Sequence, residues 1–100
     1  MKIIVYVILC NDDNIFDFYV GSTDNLSRRI SQHRKNTTNK CSKKYWLKLY
    51  RTIRENGGFD NWNVIKLNEF ETPTYEEGRK YEYEYIARLN HSLNKNKLKK

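Results

Sequence analysis

The sequence predicts a small mixed α/β domain with an antiparallel hairpin at its heart. Three observations carry that prediction. Residues 3–10 form an unbroken apolar stretch, β-branched and containing Tyr6, and the turn-forming run Asn11-Asp12-Asp13-Asn14 follows at once. Three later segments place apolar residues at helical spacing. The resulting order, β-β-α-α-β-α, fits within 100 residues as one domain around one modest core.

Taken in order, residues 3–10 read as a first strand, apolar on both faces and therefore central. Residues 11–14 are a short hairpin loop. Residues 15–20 read as a second strand ended by Gly21, which most simply supplies a permissive backbone where the chain turns towards a helix. Asp24 is a good N-cap for a first helix over residues 25–35, and residues 36–40 are a polar loop. A second helix over residues 42–56 carries Trp46, Leu49, Tyr50 and Ile53 on one face, and Gly57-Gly58 stops it. Residues 62–67 form a third strand by alternation, weakened by its Asn residues. The only proline, Pro73, sits near the start of a last helix over residues 74–90. The domain is expected over residues 1–96, with a basic tail at 97–100.

Composition narrows the function classes. Nineteen Lys and Arg against 12 Asp and Glu give a net charge of +7, which points to a polyanionic partner. Nucleic acid comes first and an anionic membrane second. No apolar run reaches the length of a membrane span. The apolar start lacks the small residues of a signal-peptide cleavage site, since the only Ala is Ala87. The expected location is therefore intracellular, cytoplasmic or nuclear, with no membrane partner. Cys10, in a strand, and Cys41, in a polar loop, make neither a disulfide framework nor a zinc site.

Charge is divided along the chain. From Arg28 to Arg54 there are ten basic residues and no acid, whereas from Glu69 to Glu84 there are six acids with only Arg79 and Lys80 to offset them. Two solvated faces of opposite sign would explain this, as would a phosphate-binding side beside a site that needs a carboxylate. The last helix is more specific. At about 100° per residue, Gly78, Glu82, Tyr85, Ile86, Leu89 and Leu93 fall on one otherwise apolar stripe. A carboxylate there is costly unless it is paired or bound to a metal, and the plain alternative is a Glu at the stripe's edge bonded to an Arg. In the first helix, Arg29 and His33 stand at i and i+4 beside the apolar Leu26 and Ile30. They form either an Arg–His pair directed at a phosphate or an ordinary amphipathic edge with a snorkelling Arg. Tyr6 and Tyr19 lie on the two strands, where core packing is the default.

Set in order, Ile4-Val5-Tyr6, Tyr19-Val20-Gly21, Ser22-Thr23-Asp24-Asn25-Leu26, Arg29, His33 and Glu82 resemble the GIY-YIG nuclease family. The run YVGSTDNLSRR followed by His33 is a close match to the second family motif. The first motif is a partial match, with Ile4 where the family usually has Gly. The stretches LYRTIRENGGFDNW and EYEYIARLN resemble the family's middle and final helices. Asn94, with Asn90 and Asn96 nearby, stands for a late family Asn. The resemblance spans residues 2–96 and implies a three-stranded antiparallel sheet flanked by helices.

It also implies divalent-metal-dependent hydrolysis of phosphodiester bonds in nucleic acid, DNA above all, with Mg²⁺ or Mn²⁺ as cofactor. On this basis Glu82 is the expected metal ligand, in keeping with the preference of Mg²⁺ for a carboxylate plus waters and phosphate oxygens. Arg29 would hold the phosphate, Tyr6 would orient or deprotonate the attacking water, and Tyr19 would position phosphate or water. His33 is either the base or the group that holds Tyr6. Gly21, Arg28, Lys43, Lys44 and Asn94 are the expected substrate contacts. One active site per chain means that cutting both strands takes a dimer or two separate visits. A catalytically inactive nucleic-acid-binding module of the same fold explains the charge equally well but gives no reason for Glu82 on an apolar stripe. A purely structural protein does not explain the basic segment.

Overall fold

The computed structural model describes residues 1–89, so Asn90, Asn94, Asn96 and the basic tail lie outside the described residues. The elements are β1 (Lys2–Cys10), β2 (Phe18–Thr23), α1 (Leu26–Thr38), α2 (Lys48–Glu55), a 3-10 turn (Phe59–Asn61), β3 (Trp62–Glu71) and α3 (Tyr75–Leu89). The expected order β-β-α-α-β-α and the three-stranded antiparallel sheet are both present. The strand order is β2-β1-β3. Central β1 is apolar on both faces because both faces are covered. Tyr6 and Ile8 pack with Leu49, Tyr50 and Ile53 of α2 on one side. Val5 and Val7 pack with Ile86 of α3 on the other. Among the described residues, no helix is long and apolar enough to cross a membrane.

Four elements depart from expectation in their boundaries. The second strand is not residues 15–20 but Phe18–Thr23, so Gly21 lies inside it, opposite Tyr6, rather than at its end. The pairing of Ile4 with Thr23 extends the ladder past the glycine. Asn25, not Asp24, caps α1, its side chain accepting from the Arg28 amide at 3.0 Å. Thr23 Oγ1 accepts from the Asn25 amide and shifts the cap by one residue. Asp24 instead pairs with the Arg28 guanidinium at 2.9 Å. The helix continues to Thr38, and the Thr37 and Thr38 hydroxyls donate back to the carbonyls of His33 and Arg34.

The second helix begins at Lys48 rather than residue 42. Residues 39–47 fold as successive turns, closed by the amides of Ser42, Tyr45 and Leu47 on the carbonyls three residues back. Arg54 holds this segment in place. Its guanidinium donates to the carbonyls of Thr37 and Tyr45 and lies 3.6 Å from the centre of the Tyr45 ring. Trp46 therefore leaves the apolar face and is 66% exposed, while Leu49, Tyr50 and Ile53 stay buried. The third strand runs to Glu71, not 67, because β1 offers backbone partners as far as Lys2. Its mostly exposed second half hides the alternation. Gly57 and Gly58, with φ of 97° and 82°, end α2 as expected.

Helix α3 starts after Pro73, with Thr74 Oγ1 accepting from the Glu77 amide. Gly78 brings α3 against β1, where a Cβ would meet the fully buried Ile3 side chain, its Cβ only 3.0 Å away. We expect Gly78→Ala to destabilise the protein by about 1–2 kcal/mol. The overpacking penalty outweighs the helix-propensity gain of about 1 kcal/mol. Urea unfolding followed by circular dichroism measures the shift, and a variant as stable as wild type would show that α3 can move away freely.

Candidate active site

The sheet presents two polar clusters, one on each face of its edge strand β2. Alternation along β1 and β2 puts Tyr6, Tyr19 and Gly21 on the face covered by α1 and α2, and Val20 and Ser22 on the face covered by α3. Tyr6 is completely buried. Its hydroxyl reaches across Gly21, where an added Cβ would stand 2.5 Å from Oη and 2.6 Å from Cζ. The glycine is required because a tyrosine occupies the space of its side chain.

His33 of α1 is the next layer. It is 3% exposed, with Nε2 at 2.7 Å from the Tyr6 hydroxyl and Nδ1 at 2.7 Å from the Tyr50 hydroxyl. Tyr19 meets the His33 ring edge-on with centroids 5.8 Å apart. Burial, then the positive charges of Arg29 and Lys44, push the imidazole down to about 4, so it is neutral at pH 7. Burial likewise pushes the hydroxyls of Tyr6 and Tyr19 well above the ordinary phenol range and raises that of Tyr50. Arg29 acts against that rise at all three. Its own partial burial disfavours the guanidinium charge, but Tyr6 and Tyr75 more than offset this and its net shift is upward.

Glu82 lies on the other face. It is 7% exposed on the core-facing stripe of α3, as its spacing predicts, and accepts a 2.5 Å hydrogen bond from Ser22 Oγ. The Arg partner of the plain alternative is absent. Among the described residues, Glu82 makes no ion pair, and the Ser22 hydroxyl is its one hydrogen-bond partner. Two features link the faces around the β2 edge. Glu82 is among the charges that raise Tyr19. Arg29 sits beside Tyr6 on one side and beside Tyr75 of α3 on the other, and the Tyr75 hydroxyl donates to the Ser22 carbonyl at 3.1 Å.

Residues 2–97 match the family model of the GIY-YIG catalytic domain. The chain belongs to the GIY-YIG nuclease family. No curated protein and no solved structure matches it. Of the family-matched positions, the structure gathers Tyr6, Tyr19, Gly21, Arg29 and His33 on one face of β2 and Glu82 across the strand. Arg28 is exposed and paired with Asp24. Lys43 and Lys44 line, with Lys35, Asn36 and Ser42, a groove of about 450 Å³ beside α1. Asn94 lies outside the described residues. Sequence reasoning missed Ser22, Tyr50 and Tyr75 as parts of the site. Ser22 was legible by parity, since it shares the face of Val20. Nothing local marks Tyr50 or Tyr75, each of which needs the tertiary fold to meet its partner.

The neutral His33 has a pH signature. The unfolded chain takes up this proton near pH 6.5, whereas the folded chain resists it until about pH 4. The unfolded state therefore binds more protons in that window, and the stability due to His33, complete above pH 6.5, is lost as pH falls towards 4. We expect this to amount to roughly 3 kcal/mol. Denaturant unfolding at several pH values, compared with His33→Gln, isolates the effect from the carboxylates. Equal slopes in the two proteins would mean that His33 is not held neutral.

Proposed function

We propose that the protein is a divalent-metal-dependent endonuclease that hydrolyses phosphodiester bonds in DNA. The observation that carries this reading is Glu82. It is a buried acidic side chain without a cationic partner among the described residues, held by the neutral hydroxyl of Ser22. One carboxylate oxygen accepts from Ser22, and among the described residues the second has no hydrogen-bond partner, which suits it to a cation. Among the described residues, no three His, Cys, Asp or Glu side chains gather at one point, so a soft or tightly caged metal is not suited. A single carboxylate fits Mg²⁺ or Mn²⁺, which retain waters and take further oxygens from a phosphate. Bound there, such a cation supplies Lewis-acid stabilisation of the phosphoryl oxygens.

The remaining roles follow from position and charge. Arg29 is the cation nearest the tyrosines, and its fork offsets charge developing on the phosphate. Tyr6, protonated in the free protein, directs its hydroxyl towards the attacking water. Tyr19, between His33 and the Glu82 side, positions water or phosphate. His33 holds Tyr6. Arg28, Lys43 and Lys44 extend the positive surface along α1 and the turn that follows, where a DNA backbone would lie.

Plasmid nicking tests the reading. We expect wild type to nick supercoiled plasmid with Mg²⁺, to stop with EDTA, and to lose activity in Glu82→Ala. Arg29→Ala should lose about 10²-fold or more. A wild-type protein that binds plasmid but never nicks it with Mg²⁺ or Mn²⁺ would leave the binding-module alternative instead. Nicking that survives Glu82→Ala would remove the metal assignment.

A further inference from the structure

The basic turn segment carries an aromatic side chain that the fold leaves uncovered. The Lys44 carbonyl accepts from the Leu47 amide at 3.0 Å, and Trp46, within this turn, is 66% exposed. Its ring is nonetheless held. It stands edge-to-face with Tyr45, the centroids 4.8 Å apart and the planes at 85°. Tyr45 is buried beneath the Arg54 guanidinium, which is tied to two backbone carbonyls. The fold thus fixes the direction of the indole and leaves most of it in water. A solitary exposed ring is ordinary on a protein surface. The surroundings single out this one.

Those surroundings are uncompensated positive charge. Lys35, Lys43 and Lys44 line the groove beside α1 together with Asn36 and Ser42. All three lysines are exposed, and among the described residues none forms an ion pair. Arg28 and Arg34 of α1, by contrast, are paired with Asp24 and Asp60. The groove also adjoins the candidate active site. Asn36 donates to the Tyr50 hydroxyl at 3.2 Å, that hydroxyl lies 2.7 Å from His33 Nδ1, and the charge of Lys44 reaches the His33 ring. Phe16, more exposed still, lies among Asp12, Asp13 and Asp17, where a polyanion is repelled.

We propose that the groove and Trp46 together hold an unpaired strand of DNA, its phosphates along Lys35, Lys43 and Lys44 and one base stacked on the Trp46 ring. A basic groove beside an aromatic platform is the pairing that single strands require. Inside a continuous duplex each base is covered on both sides by its neighbours, so the indole has no free face to meet. A flap, a gap or an unwound segment offers that face. The proposal rests on the nuclease reading for DNA as the polymer and for a cut near Tyr6. It adds the class of substrate, which is DNA with an unpaired segment beside the scissile bond.

Tryptophan emission of the full chain in EDTA reads binding without cleavage. The other tryptophan, Trp62, is 4% exposed and serves as an internal reference. We expect oligothymidylate to quench wild-type emission and to leave that of Trp46→Phe, which comes from Trp62, unchanged. Trp46→Ala should bind oligothymidylate about tenfold more weakly, with its affinity for a relaxed closed-circular duplex within about twofold of wild type. Lys43→Gln combined with Lys44→Gln should weaken both ligands and flatten the salt dependence. Saturating oligothymidylate that leaves wild-type emission unquenched overturns the proposal. So does a folded Trp46→Ala that keeps wild-type affinity or loses the duplex equally. A sedimentation mass that falls from dimer to monomer in Trp46→Ala overturns it too, because a second copy then covers the indole. With Mg²⁺, wild type should cut a duplex bearing an unpaired flap about tenfold faster than a continuous one, and Trp46→Ala should lose that preference. Equal cutting of the two by wild type counts against the substrate class and leaves the nuclease reading intact. Absence of all cutting counts against the nuclease reading, while emission and affinity still decide the binding site.

Discussion

The site depends on one close approach. Tyr6, on the central strand, lies across the position where residue 21 of the neighbouring strand would carry a side chain. A central strand buried on both faces has nowhere else to direct a tyrosine hydroxyl without stranding it among aliphatic groups. By crossing Gly21, the ring keeps its apolar body in the α1/α2 core while Oη reaches the edge strand. His33 bonds it there, and Tyr19 and Arg29 stand close by. The pairing of Tyr6 with Gly21 thus joins register to chemistry. A slip of one residue would move Tyr6 to the α3 face and take every partner from it.

Burial gives this cluster its electrical character. Three tyrosines and a histidine share a space that disfavours any charge on them, and all four are held in their neutral forms. The two groups with charge to use stand at the rim or behind the strand, with Arg29 half-buried and Glu82 across β2. Among the described residues, the two form no ion pair with each other.

How much of this the sequence discloses depends on whether a signal is local. The Glu82 stripe is local. Helical spacing places it inward, and the structure agrees. The central β1 is local too, because a strand buried on both faces has to be apolar on both. Gly21 reads wrongly from sequence, because a glycine after a strand resembles a terminator until the facing residue is known to be Tyr6. The start of α2 reads wrongly for a similar reason. Residues 42–47 have helical apolar spacing, yet Arg54 draws the Thr37 and Tyr45 carbonyls together and turns Trp46 outward. The partnership of Ser22 with Glu82 joins residues 60 positions apart, and only sheet parity hints at it.

The division of charge along the chain has a structural counterpart. The basic segment maps onto α1, the turns after it and α2, all on the Tyr6 side of the sheet, while most of the acids belong to α3 on the other side. Two solvated faces of opposite sign would leave Glu82 among the exposed acids, with Glu76 and Glu84. Instead it is the one acid of α3 turned inward, and it is satisfied there by a hydroxyl in place of a cation. Burying a carboxylate in that way is unfavourable for the free protein. A fold under no further demand would be more stable with an apolar residue at this position on the stripe. The metal role proposed for Glu82 accounts for a burial that packing alone does not.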